Sequence, residues 1–420
     1  MTKTATSPFY GWRVVWAAFA LATFGWGLGF YGPPVYLHAV REARGWPLAL
    51  VSAAVTTHFL IGALVVANLP KLYRRFGLPF VTKAGAVSLA LGILGWALAA
   101  SPWQLFAATL LSGAGWVAMG AAAVNAIIAP WFVRTRPAAL ATAYNGASIG
   151  GVIFSPLWVA AIEAIGFAKA ALLIGLVMVA LVWWLANTMF VKSPQDMGLE
   201  PDGDAPGASA SAISSPLAMA LAGESLWSDR RFLTLAAGMA LGLFAQIGLI
   251  AHLFSLMVPA LGAQLAGSAM GLATASAIAG RTLVGWLMPA GADRRLVAVA
   301  SYAVQIAATG IFLVAAGSNV PLMIFAVVLF GAGIGNATSL PPLIAQVEFV
   351  REDAARVVPM IVATGQATYA FAPAAFGVVL EISAVPAPAA NGHAPLYFIC
   401  VGIVQALAIA CFLVGRKARN

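Results

Sequence analysis

Arg281 stands inside the apolar run 265–290, about 16 residues in, which at about 1.5 Å per residue places it close to the middle of a spanning helix. A cation at that depth costs about 2.5–3.5 kcal/mol on insertion scales, so it needs a cavity, a partner or an anion. No acid lies at matching depth, because Glu163, Glu348 and Glu381 all fall at the ends of apolar runs. A guanidinium stays charged at any relevant pH and grips a carboxylate through two parallel hydrogen bonds. The chemistry to expect is therefore anion recognition, and the alternative is an arginine bracing helix ends. His58, in the middle of the second run, and His252, in the seventh with Gln246 deeper on the same helix, are candidate proton carriers. With no carboxylate at depth, they are the groups there that titrate near neutrality. The alternative for each is a hydrogen-bonded packing role. Asn125, Tyr144, Asn145, Asn336, Gln366 and Tyr369 complete the candidate substrate-binding set. His38 lies near an outer end and is expected to be solvated.

These side chains must be carried by membrane-spanning helices. The chain is 62% hydrophobic and 8% charged, against about 25% charged in an ordinary soluble domain. Twelve apolar runs of about 20–28 residues each reach the length a bilayer demands. They cover 12–40, 47–69, 79–100, 103–131, 138–162, 166–191, 231–257, 265–290, 295–317, 319–346, 354–382 and 392–415. All but four of the 22 lysines and arginines fall in the segments on the N-terminal side of the membrane; Arg41, Arg44, Lys169 and Arg281 are the exceptions. That bias makes the N-terminal side cytoplasmic, with both termini inside. It also accounts for the net charge of +9 without nucleic acid. Cys400 and Cys411 share the last run, too far apart along one helix to bridge. The N-terminus shows no short apolar segment followed by a small-residue cleavage site, so no removable signal is expected.

The long polar segment between runs six and seven divides the chain into an N-terminal six-helix bundle, 1–191, a cytoplasmic linker, 192–229, and a C-terminal six-helix bundle, 230–420. The halves echo one another. Gly113-Ala114-Gly115 in span four matches Gly331-Ala332-Gly333 in span ten, and Gly146…Pro156 in span five matches Gly365…Pro373 in span eleven. Parallel repeats of this kind are a common plan for secondary transporters. Gly25, Gly27, Gly29 and Gly32-Pro33-Pro34 in span one, with Pro341-Pro342 in span ten, mark places where helices can bend. Spans three, six and twelve carry almost no polar side chains in their middles and are expected to face lipid; span nine, with Tyr302 and Gln305, is more polar. No P-loop, histidine–acid metal set or clustered catalytic acids occur, so neither an ATP-driven pump nor a membrane enzyme is supported, and no cofactor or metal is expected. No span carries the repeated charges of a channel ring.

Over essentially its whole length the sequence resembles the major facilitator superfamily. The segment Pro70-Lys71-Leu72-Tyr73-Arg74-Arg75-Phe76-Gly77 keeps Leu72, Arg75 and Gly77 of the family's loop between spans two and three but lacks its first glycine and its aspartate. Its counterpart, starting Gly285-Trp286-Leu287, is also degenerate. Four features resemble the monocarboxylate and oxalate–formate branch: Tyr10-Gly11-Trp12-Arg13, Trp131-Phe132-Val133-Arg134-Thr135-Arg136, Gly280-Arg281, and Pro194-Gln195-Asp196-Met197-Gly198-Leu199. The resemblance implies an all-α integral membrane fold of twelve helices in two pseudo-symmetric six-helix halves, and a span-eight arginine that binds the substrate carboxylate. The expected protein is a monomeric, multi-pass transporter of the plasma membrane (the bacterial inner membrane). It would move a small organic anion, a monocarboxylate such as lactate or pyruvate, together with protons by alternating access. The competing expectation is a facilitator or drug-type exporter whose cavity arginine is structural.

Overall fold

The computed structural model describes residues 9–203, 225–289, 291–384 and 394–416; the middle of the expected linker lies outside them. Among the described residues, sixteen α-helices make twelve crossings. In the first half these are α1 (Gly11–Gly29), α2 (Pro33–Arg44), α3 (Leu48–Phe76), α4 (Leu78–Leu98), α5 (Pro102–Ala118), α6 (Ala121–Ile128), α7 (Arg136–Ile165) and α8 (Phe167–Leu185). The second half holds α9 (Arg230–Leu261), α10 (Ala263–Leu287), α11 (Arg294–Ala315), α12 (Val320–Ile334), α13 (Leu340–Glu348), α14 (Arg351–Tyr369), α15 (Ala372–Ala384) and α16 (Pro395–Val414). Spans one, four, ten and eleven are each built from two helices. Among the described residues, nine stretches are long and apolar enough to cross a membrane by length and composition alone. Spans eight, ten and eleven fall short of that measure: α10 is rich in glycine, alanine and serine, α12 is short, and α14 opens with several charged residues. Span two runs to Phe76, seven residues beyond the expected end at 69, so the family's signature segment continues α3 as helix and the turn into α4 is Gly77 alone, at φ 79°.

The paired glycine motifs set how closely the helices approach. A Cβ on Gly113 would lie 2.2 Å from the His58 carbonyl oxygen in α3, and one on Gly115 would lie 2.3 Å from the Leu89 nitrogen in α4. In the second half, a Cβ on Gly331 would lie 2.2 Å from the Ala273 oxygen in α10, and one on Gly333 would lie 2.9 Å from the Ser301 oxygen in α11. Span four thus lies backbone to backbone against spans two and three, as span ten does against eight and nine. Small residues permit this contact where lipid supplies no hydrophobic drive between helices. The expected lipid-facing spans expose rows of large apolar side chains: Leu91 and Leu98 on α4, Leu172, Leu176 and Trp183 on α8, Ile399, Ile403 and Leu407 on α16. Span nine turns Tyr302 and Gln305 inward, where both are buried.

One end of the bundle carries the start of α1, the end of α8, the start of α9 and the end of α16; we call it the terminal face. At the opposite face the halves meet directly. The Ala49 N–H donates to Glu381 Oε2 (3.1 Å) and the Ala374 N–H to Thr56 Oγ1 (3.0 Å), joining α3 to α15. The His38 ring of α2 lies edge-on to Phe254 of α9, 5.1 Å between centroids. It is half-buried with Nδ1 unpartnered, not solvated as the sequence suggested, because it lies at the seam between halves. Spans five and eight touch where a Cβ on Gly267 or Gly271 would meet Val159 or Val152. On the terminal-face side, α6 packs on α1 and α7, and α13 packs on α14 and α11, each within its own half.

Candidate functional site

Each break in a crossing leaves backbone groups without their helical partners, and inside a membrane those groups must be satisfied by protein. In span one, α1 stops at Gly29, whose carbonyl would next meet the nitrogen of Pro33, which has no hydrogen. The Gly29 oxygen accepts instead from His58 Nε2 (2.9 Å), and the Leu28 oxygen from the Tyr36 hydroxyl (3.0 Å). Donation from Nε2 leaves His58 Nδ1 to accept from the Ser112 hydroxyl (2.8 Å), which itself receives Trp96 Nε1 (3.2 Å). His58 is thus buried with both nitrogens engaged inside the first half.

In span four, the Ala121 carbonyl at the start of α6 receives both Asn125 Nδ2 (2.9 Å) and the Tyr144 hydroxyl (3.2 Å), and Asn125 also donates to Tyr144. Asn125 and Asn145 are exposed and Tyr144 is half-buried, all on the terminal-face side of the breaks. In span ten, α12 ends at Ile334 and the Gly335 carbonyl accepts from Arg281 Nε (2.7 Å). In span eleven, the Pro373 carbonyl at the start of α15 accepts from His252 Nε2 (2.9 Å), while the neighbouring Ala374 N–H is capped across the seam by Thr56. His252 Nδ1 is buried and has no partner. The three side chains singled out first from the sequence therefore share one job, since each binds backbone at or beside a helix break.

Arg281 differs from the histidines in what remains. Among the described residues it has no carboxylate partner. Because α10 ends at Leu287, the arginine stands about 9 Å from the terminal-face end of its helix, nearer to it than the midplane position expected from the sequence. Tyr31, in the break of span one, lies beside Thr274 of α10 and close enough to Arg281 to feel its charge. A Cβ on Gly151 of α7 would touch both Thr274 and the Tyr31 ring, at 2.7 and 2.8 Å. Arg281 thus sits beside the point where spans one, five and eight converge from both halves. Sequence reasoning passed over Tyr31 and Thr274; the signal was available, since Tyr31 sits between Gly29 and Gly32-Pro33 in the segment expected to bend.

The remaining expected residues spread through the second half. Asn336, next to the carbonyl held by Arg281, is buried with Nδ2 unpartnered. Gln246 is buried in α9 with Oε1 unpartnered. Gln366 is half-buried on α14, and Tyr369, at the end of that helix, packs edge-on against Phe59 of the first half at 5.8 Å. Phe59 in turn meets Trp116 and Phe30, so an aromatic layer lies between the span-one break and span eleven.

The pattern of the Major Facilitator Superfamily matches residues 15–373. Among characterised proteins, the "MFS transporter asaE" of Aspergillus flavus is 25% identical over 358 residues, covering 81% of this chain and 74% of that one. Monocarboxylate transporter 11 of Homo sapiens is 28% identical over 293 residues, covering 67% of this chain and 57% of the human protein. Among solved structures, the nucleoside transporter NupG superposes with a TM-score of 0.71 at 13% identity, over 97% of this chain and all of that one. A bacterial homologue of the human lysosomal transporter Spinster, captured inward-facing and occupied, gives 0.70 at 13% identity, over 99% of this chain and all of that one. At such identities these structures speak for the fold. With twelve helical crossings, two halves closed against each other at one face, and a sequence pattern matched across most of its length, this chain belongs to the Major Facilitator Superfamily and is a multi-pass membrane transporter, not an enzyme.

Proposed function

We propose that the protein is a secondary active transporter of a small organic monoanion, a monocarboxylate such as lactate or pyruvate, moved with a proton by alternating access. The observation that carries this reading is the setting of Arg281. Its Nε is anchored on the Gly335 carbonyl, which fixes the plane of the guanidinium while the two terminal nitrogens stay available for a carboxylate. With no acid beside it among the described residues, the charge calls for an anionic ligand, and Tyr31 close by offers a hydroxyl group to a bound substrate. The similarity to a monocarboxylate transporter supports the same substrate class. The helices seal the path at the opposite face, so the substrate would reach Arg281 from the terminal face, past Asn125, Tyr144 and Asn145. We assign that face to the cytoplasm of the plasma membrane, on the distribution of lysine and arginine. His252, with one buried nitrogen unpartnered, is the better candidate to carry the proton; His58 already uses both. The protein is proposed to work as a monomer.

Uptake of labelled lactate and pyruvate into proteoliposomes, with and without a pH gradient, tests the reading. Arg281→Gln should abolish uptake while the protein still inserts, and Arg281→Lys, which keeps the charge but loses the fork, should weaken binding severely. Unchanged binding in the Gln variant rejects the anchor role. It would favour the second reading, a facilitator or drug-type exporter, for which the Gly335 bond is the supporting observation, because that bond gives the arginine a structural duty of its own.

A further inference from the structure

The first half borrows an acid from the linker. Thr135 is the N-cap of α7, yet its side chain caps nothing within that helix. The carboxylate of Asp202, close to seventy residues further along, holds instead the loop that leads into the helix. It accepts the backbone N–H groups of Val133 (3.0 Å), Arg134 (2.8 Å) and Thr135 (3.0 Å), and the Thr135 hydroxyl as well. The Asp202 N–H returns a bond to the Trp131 carbonyl (2.9 Å). To do this Asp202 adopts φ 62°, a left-handed conformation that a residue with a side chain rarely takes without a reason in its surroundings. Gly203 follows at φ 70°, and its Cα lies under Phe9, where a Cβ would be 3.0 Å from that ring. Phe9 packs edge-on against Trp131 and Phe132, at 6.2 and 5.6 Å. Tyr10 closes the ring of contacts by donating to Met189 Sδ (3.2 Å) and accepting from Lys192 Nζ (3.3 Å).

The equivalent loop of the second half, between α13 and α14, is held differently. There Arg231, at the start of α9, donates to the Glu348 carbonyl (3.1 Å), and Arg295 of α11 holds the Glu348 carboxylate. There the groups that touch the loop, Arg231, Arg295 and Glu348, belong to the second half itself, and Arg231 is steadied by Asp229 at the very end of the linker (2.6 Å). The difference matters because α7 carries Tyr144 and Asn145, and because the linker is the covalent connection between the halves.

We propose that Asp202 is a positioning residue of the transport cycle, whose carboxylate joins the start of α7, the loop 131–135, residues 9–10 and the linker as far as Gly203 into one block. That block moves as a body with the first half, so any pull between the halves is applied at Gly203 and delivered to the start of α7. Loss of the clasp lets the linker slip and α7 move without it. The expected change is in how fast the halves exchange between terminal-face-open and terminal-face-closed arrangements, not in the site around Arg281. The inference does not depend on the substrate.

The test uses the full-length protein with Cys400 and Cys411 replaced by serine, in proteoliposomes. Dyes on Ala141→Cys and Glu352→Cys, exposed positions on α7 and α14, report the separation of the halves by single-molecule energy transfer without substrate. Asp202→Asn should speed hydrogen exchange at the amides of Val133, Arg134 and Thr135 by about tenfold or more, the effect of losing a charged hydrogen-bond acceptor. It should also change the interconversion rate of the halves by about threefold or more. Unchanged exchange and unchanged interconversion in Asp202→Asn overturn the proposal. So does faster loop exchange with unaltered interconversion, which would leave Asp202 a local cap only.

Discussion

Gly377 on α15 should act as a stop for closure of the opposite face. A Cβ added there would lie 2.4 Å from Ser52 Oγ, 2.6 Å from Ser52 Cβ and 3.5 Å from His252 Cε1. Ordinary contact is about 3.5–4.0 Å, so α3 and α15 must part by about 1 Å. Ser52 is fully buried and has no room to turn aside. Ser52 and Thr56 stand one turn apart on α3, and Gly377 and Ala374 one turn apart on α15, so the same movement strains the bond from the Ala374 N–H to Thr56. Overpacking of this kind costs about 1–3 kcal/mol. Since about 1.4 kcal/mol is tenfold in an equilibrium, Gly377→Ala should disfavour the sealed arrangement by about five- to 150-fold. Spin labels on Arg44→Cys and Gln264→Cys, at the opposite-face ends of the two halves, would read the change as a longer distance in double electron–electron resonance, with both native cysteines replaced. Gly402→Ala, where nothing lies within 4 Å of the new carbon, is the control. If Gly377→Ala gives the same distance distribution as that control, the seam between α3 and α15 does not govern closure.

The other predictions concern the two terminal-face anchors and the histidines. Glu348→Gln leaves Arg295, only 2% exposed, without its ion-pair partner; breaking such a pair costs about 3 kcal/mol or more, so the melting temperature in detergent should fall by a few degrees, while Arg295→Met with Glu348→Met should recover much of the loss. Desolvation tends to raise the Asp202 carboxyl, but the Thr135 hydroxyl and the amides of Arg134, Thr135 and Val133 outweigh it and hold the group at about 2. A depressed acid stabilises above its unfolded value and loses that contribution as pH falls towards its folded value. Protection of amides 133–135, corrected for intrinsic exchange rates, should therefore stay level from pH 7 to about 5 and decline below about 4; a decline centred near neutrality would refute the carboxylate clasp. His252→Gln should remove accumulation driven by a pH gradient more completely than His58→Gln, and retention of full accumulation in both would move the proton path elsewhere.

Much of the architecture could be read from residue order because a bilayer restricts what a chain can do. Apolar runs long enough to cross, with lysine and arginine gathered on one side, mark twelve crossings, and Gly32-Pro33-Pro34 and Gly331 through Pro342 mark where two of them break. Composition also singled out Arg281, His58 and His252, since polar groups are rare at depth. What those groups bind was a different matter. That His58 takes the Gly29 carbonyl, Arg281 the Gly335 carbonyl and His252 the Pro373 carbonyl depends on which crossings lie side by side, and hydropathy does not encode helix pairing. Tyr31 gains its place beside Thr274 only when the halves close at the opposite face. Asp202 reads in sequence as one more acid of a polar linker; its capture of the loop leading into α7 rests on a left-handed backbone turn and a contact between distant segments. Local chemistry determined which residues had to find a partner, and the tertiary packing decided which partner each one found.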